Sequence, residues 1–242
     1  MLPVLQIGPL ALRTPLLFVL LGFYLGISFA ERRLPKEALS VAQLNHLIFL
    51  SLGGGLIAAR LVFALDHWAI FAEKPLHLFS LDIGLLNLWA GLIVGILVML
   101  SYSQWQKISL WVALDALTPL LAVLGVFLSL SLFASGAIYG IPTALPWGLE
   151  VWGAKRHPLA LYYALAGLLI LIGFWRKFGK GSFAGQIFLQ FVLVTAAILL
   201  FLEIWRANSP LLPGGVRTVQ AVSWLVMALC LWLIDRRAKD QL

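Results

Sequence analysis

Hydrophobic residues in this chain run in long blocks and do not alternate with polar ones. Seven blocks stand out, at approximately 14–30, 44–65, 84–101, 109–134, 158–175, 184–204 and 218–234. Near-continuous apolarity over about 20 residues is the pattern of a helix that crosses a bilayer. In lipid the backbone must satisfy its own hydrogen bonds, which a helix does. The third and seventh blocks are short and fit a bilayer with little tilt. Charges, prolines and turn residues collect in the gaps. The gaps hold no soluble domain, tandem repeat or low-complexity tail. The pattern predicts an all-α, polytopic integral membrane protein with seven transmembrane helices, forming a single domain over 1–242.

Composition strengthens this picture. The chain is 62% hydrophobic and 11% charged, against roughly 25% charged in soluble domains. The net charge of +7 does not point to nucleic acid. Its basic residues lie between apolar blocks, where anionic lipid headgroups are their natural neighbours. The single cysteine, Cys230, sits inside an apolar block. One cysteine excludes an internal disulfide and a multi-cysteine metal site. Several of the ten tryptophans fall near block ends, as an interfacial aromatic belt would.

Loop charge predicts an orientation. Only Arg13 precedes the first block, whereas Arg32, Arg33 and Lys36 follow it. That bias favours an uncleaved span with the N-terminus outside, although Ser28-Phe29-Ala30 has the small residues of a cleavage site. Seven spans then put Arg32, Arg33, Lys36, Lys107, Arg176, Lys177, Lys180, Arg236, Arg237 and Lys239 inside. Arg13, Lys74, Lys155, Arg156, Arg206 and Arg217 lie outside, and Arg60 lies within a span. Ten against six obeys the positive-inside rule and leaves the C-terminus cytoplasmic.

In this topology the polar groups gather on one side. Arg60 lies near the outer end of span two. Glu203 and Arg206 stand one turn apart at the outer end of span six, close enough to pair. Arg156-His157-Pro158 opens span five, with Pro158 suited to a first helical turn. Tyr139 and Trp147 lie in the long loop at 135–157. One reading is a site for a charged lipid headgroup, since the arginine fork offers paired donors to phosphate. The other is that Arg60 snorkels and Glu203 simply pairs with Arg206. Asp115, toward the inner end of span four, reads as a structural hydrogen-bond acceptor at a helix end. His46 reads as structural or interfacial. Gly53-Gly54-Gly55 reads as close helix packing and not as a phosphate loop, because no Lys-Ser/Thr follows. His67 and His77 lack further metal-ligand spacing, and no Gly-x-Ser-x-Gly elbow is present.

Several segments carry a specific resemblance. They are Tyr139-Gly140-Ile141-Pro142-Thr143-Ala144-Leu145-Pro146-Trp147-Gly148, then Arg156-His157-Pro158 and Leu161-Tyr162. To these add Ile7-Gly8-Pro9-Leu10-Ala11-Leu12-Arg13, Ala59-Arg60-Leu61, Asp115 with Pro119, and Glu203-Ile204-Trp205-Arg206. In this order they resemble the motifs of the prolipoprotein diacylglyceryl transferase family over nearly the whole chain. The resemblance implies a seven-span fold with an outside N-terminus. It also implies transfer of a diacylglyceryl group from phosphatidylglycerol to the cysteine thiol of a prolipoprotein lipobox, with glycerol phosphate leaving. No metal or organic cofactor is implied. Such chemistry needs a thiolate, cations over the departing phosphate, side access for lipid and a route for the signal peptide. The inner or plasma membrane is the implied location.

The chain also departs from the family's pattern. The histidine of a His-Gly-Gly motif aligns with Trp89, in Trp89-Ala90-Gly91. A Gly-Arg-x-Gly-Asn-Phe-x-Asn-Gly-Glu signature, counted back from Gly136-Ala137 without a gap, falls on Leu128, Ser129, Ser131, Leu132, Ser135 and Ala137. An Arg-Trp-Tyr-Gly motif becomes Arg13-Thr14-Pro15-Leu16. Thr195 and Leu199 stand for a Tyr and an Arg, Thr118 for an Ala, and Ala160 and Tyr163 for a Gln and a Glu. Losing one transition-state donor can cost about 10²–10³ in rate.

Two function classes therefore stand side by side. One is a diacylglyceryl transferase whose lipid headgroup contacts are Arg60, Tyr139, Arg156, Glu203 and Arg206, with His157 moving the proton. The other is a degenerate member that binds lipid or lipoprotein in the membrane without transfer. A transporter is disfavoured, because no pair of broken helices marks a midplane site.

Overall fold

A computed structural model of the chain describes residues 4–7, 10–34, 39–73 and 85–239. Gly8, Pro9, Lys36, Lys74 and His77 lie outside the described residues. The long elements are α1 (Thr14–Arg33), α2 (Val41–Asp66), α4 (Leu88–Trp105), α5 (Leu110–Ser135), α6 (Leu159–Phe174), α7 (Gln186–Leu202) and α8 (Thr218–Lys239). A short α3 (Trp68–Glu73) follows α2, and a 3-10 turn, Glu203–Trp205, extends α7. Two small hairpins complete the described elements: β1 (Val4–Ile7) with β2 (Leu10–Arg13), and β3 (Leu149–Val151) with β4 (Ala154–Arg156).

The protein is a mostly helical, polytopic membrane protein, and each apolar block supplies one long helix. Among the described residues, six helices are long and apolar enough to cross a membrane. α6 has 16 residues. At about 1.5 Å per residue it covers roughly 24 Å of a core about 30 Å thick.

Two helix starts show how local hydrogen bonds reset a block boundary. The block at 84–101 becomes a helix at 88–105, because Asn87 caps it: the Asn87 side chain accepts from Ala90 N at 3.1 Å. A capping side chain outweighs hydropathy in setting where the first turn begins. Pro158 is the cap residue of α6 and not part of its first turn. Its carbonyl accepts from Leu161 N at 2.9 Å and Tyr162 N at 3.2 Å, so helical bonding starts one residue later.

The chain divides into two compact units, one of Met1–Pro35 with Leu114–Leu242 and one of Lys36–Ala113. In the first, α1 meets α5 where Gly22 and Gly26 leave no room for a side chain against Phe127 and Leu120. Ile170, Phe174, Phe178 and Ile187 form an apolar cluster, with Phe29 and Phe191 packed on it. The carboxylate of Asp115 accepts from Gly185 N at 2.6 Å and Phe188 N at 2.8 Å. It thus caps the start of α7, the structural role its position suggested.

In the second unit, α2 opens on a capping box between Ser40 and Gln43. It packs on α4 through glycines: a Cβ on Gly55 would lie 2.7 Å from the Gly91 carbonyl oxygen. Small residues let the two backbones approach, as the Gly53-Gly54-Gly55 run implied. Gly54 faces Val98, while Gly53 faces open space. His46 lies edge-on to Tyr102 at 6.4 Å. His67 stacks on Phe63 at 4.2 Å, and its Nδ1 lies 3.1 Å from the Phe63 carbonyl.

Candidate functional site

The site is built where α7 ends. The 3-10 turn tightens the backbone and points the Glu203 side chain inward, where it is fully buried. A buried carboxylate is costly unless it is paired and hydrogen-bonded, and Glu203 meets both conditions. The Tyr163 hydroxyl, from α6, donates to its Oε2 at 3.2 Å. The Ser209 hydroxyl donates to its Oε1. Arg206 Nη1 lies 3.5 Å from the same oxygen.

Arg217 ties the backbone of this turn. Its Nη1 donates to the Glu203 carbonyl and, at 2.7 Å, to that of Arg206. It reaches back because the chain reverses after Pro210. Leu212 N donates to Val216 O at 2.8 Å and Thr218 N to Pro210 O at 3.0 Å. Gly214 and Gly215 both take positive φ there, at 97° and 82°.

The long loop then docks on the turn. Ile141 N donates to Trp205 O at 2.8 Å and Ala207 N to Tyr139 O at 3.0 Å. On its other side Gly140 N donates to His157 O at 3.1 Å, and Thr143 N to Lys155 O at 2.9 Å. Residues 139–143 therefore form the middle of a small extended layer, between β4 and the segment after α7. Gly140 has to be glycine, since a Cβ would lie 2.7 Å from the His157 carbonyl oxygen. Trp152 and Gly153, both at positive φ, close the β3–β4 turn.

Five of the six expected site residues meet in this layer. Arg156 donates to Val151 O at 3.1 Å and Gly140 O at 3.4 Å, and its guanidinium lies over the Tyr139 ring at 5.2 Å. His157 Nδ1 is 3.1 Å from the Tyr162 hydroxyl, which also accepts from Trp147 Nε1 at 2.9 Å. Arg206 also donates to Asn208 Oδ1 at 3.3 Å, and Asn208 Nδ2 donates to Ala137 O at 2.8 Å. The sixth residue, Arg60, belongs to the other unit. It is buried in α2 and donates to Leu85 O at 2.9 Å.

Sequence reasoning missed Ser209, Asn208 and Arg217 as partners of the turn, and it treated Tyr163 only as a departure. The Pro210–Gly215 punctuation was the available signal for the reversal that returns Arg217.

Below the layer lies a cavity of about 440 Å³ between α5, α6, α7 and the start of α8. Its polar groups are Tyr163, Glu203 and Arg206, with the hydroxyls of Ser129 and Thr195. Leu128, Ser129, Leu132, Thr195 and Leu199, which depart from the family's pattern on two helices, all line it. These five positions thus face one space, whose wall is mostly apolar. Trp89 fills no such space: it is 76% exposed on α4.

Comparison with known proteins decides the family. The family model described as prolipoprotein diacylglyceryl transferase matches residues 3–235. The chain belongs to this family. Among its relatives is the phosphatidylglycerol–prolipoprotein diacylglyceryl transferase of Bordetella parapertussis, 30% identical over 211 residues, covering 84% of this chain and 80% of the relative. The transferase so named from Clostridioides difficile is 28% identical, covering 84% and 81%. That of Streptococcus pyogenes serotype M1 is 25% identical over 247 residues, covering 98% and 95%. The match therefore takes in every helix except the end of α8, and includes the turn that buries Glu203.

Proposed function

We propose that this protein moves a diacylglyceryl group from phosphatidylglycerol to the cysteine thiol of a prolipoprotein. The observation that carries this reading is the family match over residues 3–235, together with relatives whose names state that activity. The protein acts in the inner or plasma membrane as a single seven-span domain, with the N-terminus outside and the signal peptide of the precursor as second substrate.

Arg156 and Arg206 supply positive charge to the phosphate, Tyr139 supports Arg156, and Glu203 holds Arg206. His157 moves the proton. Its Nδ1 is taken up by Tyr162, which leaves Nε2 for the thiol. The thiol proton passes to Nε2, and the thiolate sulfur forms a bond to the terminal glyceryl carbon. The carbon–oxygen bond to phosphate breaks, and glycerol phosphate leaves with the electron pair and takes the proton.

The apolar lining at Leu128, Leu132 and Leu199 favours a second reading, a family member that binds lipid or lipoprotein without transfer. Purified protein with phosphatidylglycerol and a lipobox peptide, alongside complementation of a cell lacking the transferase, separates the two. The expected result is a thioether-linked diacylglyceryl peptide and released glycerol phosphate. Folded, lipid-binding protein that transfers nothing overturns the transferase reading.

A further inference from the structure

Helix α6 is too short for the bilayer it belongs to. Its 16 residues fall roughly 6 Å short of a hydrocarbon core about 30 Å thick. The deficit does not lie at its last turn. Arg176 and Lys177 follow directly and are exposed, and Lys177 sits over the Phe174 ring at 5.5 Å. Cations so placed hold that end at the level of the headgroups. The deficit lies at the other end, at Pro158, so the layer that carries Arg156 and His157 begins at membrane depth.

The surface of that layer agrees. Leu165, Leu169 and Ile172 are exposed and form one stripe along α6 with Tyr162. At the head of the stripe Trp147, itself exposed, donates its indole N–H to the Tyr162 hydroxyl at 2.9 Å. The face that α6 turns to lipid thus runs on to the layer without a break. Two residues later the β3–β4 hairpin begins. Its turn is Trp152-Gly153, with φ of 53° and 74°. Asn, Asp and Gly take such angles readily, whereas a bulky aromatic does so against steric resistance. Trp152 is 74% exposed, so packing on the protein does not offset the strain. A ring held out on a strained turn points to a contact outside the chain. The backbone behind it is already paired: Leu149 with Arg156, Glu150 with Lys155, Val151 with Ala154, and Thr143 N with Lys155 O. Paired backbone is what lying against lipid requires.

We propose that the β3–β4 hairpin is a membrane anchor, lying in the phospholipid headgroup layer at the end of the bundle where α5 stops and α6 starts. Trp152 is its point of entry and Trp147 its base. An indole suits that layer because its body is apolar and its N–H is polar. Lys155 is exposed on the same hairpin and meets lipid phosphate. Arg156 closes β4 against Leu149, so the anchor sets the depth of Arg156 at the level where a lipid's phosphate lies. The anchor goes beyond the transferase reading and does not depend on it, since a member that binds lipid without transfer needs the same depth.

The test uses the full chain, labelled with 5-fluorotryptophan, in nanodiscs of phosphatidylcholine and phosphatidylglycerol. Fluorine NMR reads each tryptophan, and loss of a signal in Trp152→Phe or Trp147→Phe assigns it. Phosphatidylcholine with a nitroxide at acyl carbon 5 should broaden the Trp152 signal at least threefold, and more than a nitroxide at carbon 16 does. A soluble gadolinium chelate should broaden it less than half as much as it broadens free 5-fluorotryptophan. Trp152→Gly should keep the unfolding temperature in detergent at or above that of the parent, because glycine fits the turn. In nanodiscs it should expose Trp147 to the chelate at least twofold more. A Trp152 signal that the chelate reaches freely and the lipid nitroxides leave sharp overturns the anchor, and gives the ring to solvent or to a soluble partner. A Trp152→Gly variant that loses stability in detergent while Trp147 stays shielded in nanodiscs also overturns it. The paramagnetic readings come from the parent sequence, so they stand even where a variant fails to fold. A transfer assay on the same nanodiscs is scored separately: an anchored protein that transfers nothing removes the transferase reading alone, and transfer by a protein with Trp152 in water removes the anchor alone.

Discussion

Asp115 and Glu203 are two carboxylates held at opposite ends of α7. Asp115 accepts two backbone N–H groups, from Gly185 and Phe188, at the start of the helix. These donors have no intrahelical partner, so Asp115 completes the helix and is bound to the chain itself. Glu203 instead gathers side chains from other segments, Tyr163, Ser209 and Arg206, and it faces a cavity. A carboxylate on backbone donors fixes a fold. One on mobile side-chain donors beside a space can also serve a ligand.

The largest expected effect tests the Glu203 side of this comparison. Glu203→Ala leaves the partly exposed Arg206 without its counter-charge and Tyr163 and Ser209 without their acceptor, and should cost about 2–3 kcal/mol, seen as a drop in thermal unfolding temperature in detergent. Transfer should be lost in whatever fraction folds. Glu203→Gln keeps the shape and should recover part of the stability without restoring the rate. Full activity in Glu203→Ala would place both carboxylates in the structural class.

Asp115→Ala comes next. Loss of the cap should cost about 0.5–2 kcal/mol, while turnover per folded molecule stays near that of the parent. A specific loss of turnover, measured after correcting for folded protein, would erase the distinction.

Tyr163→Phe removes one donor to Glu203 and should cost about 1 kcal/mol. It should lower transfer more than it lowers stability, because the hydroxyl lies on the cavity wall. The smallest effect belongs to Asn208→Ala, which should cost about 0.5–1 kcal/mol. It should loosen Arg206 and raise the KM for phosphatidylglycerol before kcat changes.

Much of the frame was legible in the chain. Among the described residues the seven apolar blocks became six helices long enough to span and a shorter one, α6, and Asp115 was readable as a helix-end acceptor. The spacing of Glu203 and Arg206 announced their pair. Other features were not readable. Asn87 moved the start of α4 because one side-chain hydrogen bond overrides a hydropathy boundary. Arg206 was readable as a phosphate contact or as the partner of Glu203, but its second bond, to Asn208, was not. Tyr163 looked like a lost acid, yet its hydroxyl reaches a carboxylate 40 positions away.

What the sequence by itself determined is local: where backbone must hide its polar groups from lipid, where helices are small enough to touch, and which residues share one helical turn. Each follows from composition or spacing within a few residues. Only the tertiary structure decided that Tyr163, Ser209 and Arg217 close around one buried turn. The same holds for Leu128, Ser129, Leu132, Thr195 and Leu199, which open onto one apolar cavity. Helix packing and a reversal at Pro210–Gly215 bring those groups together, and no spacing along the chain encodes the resulting distances.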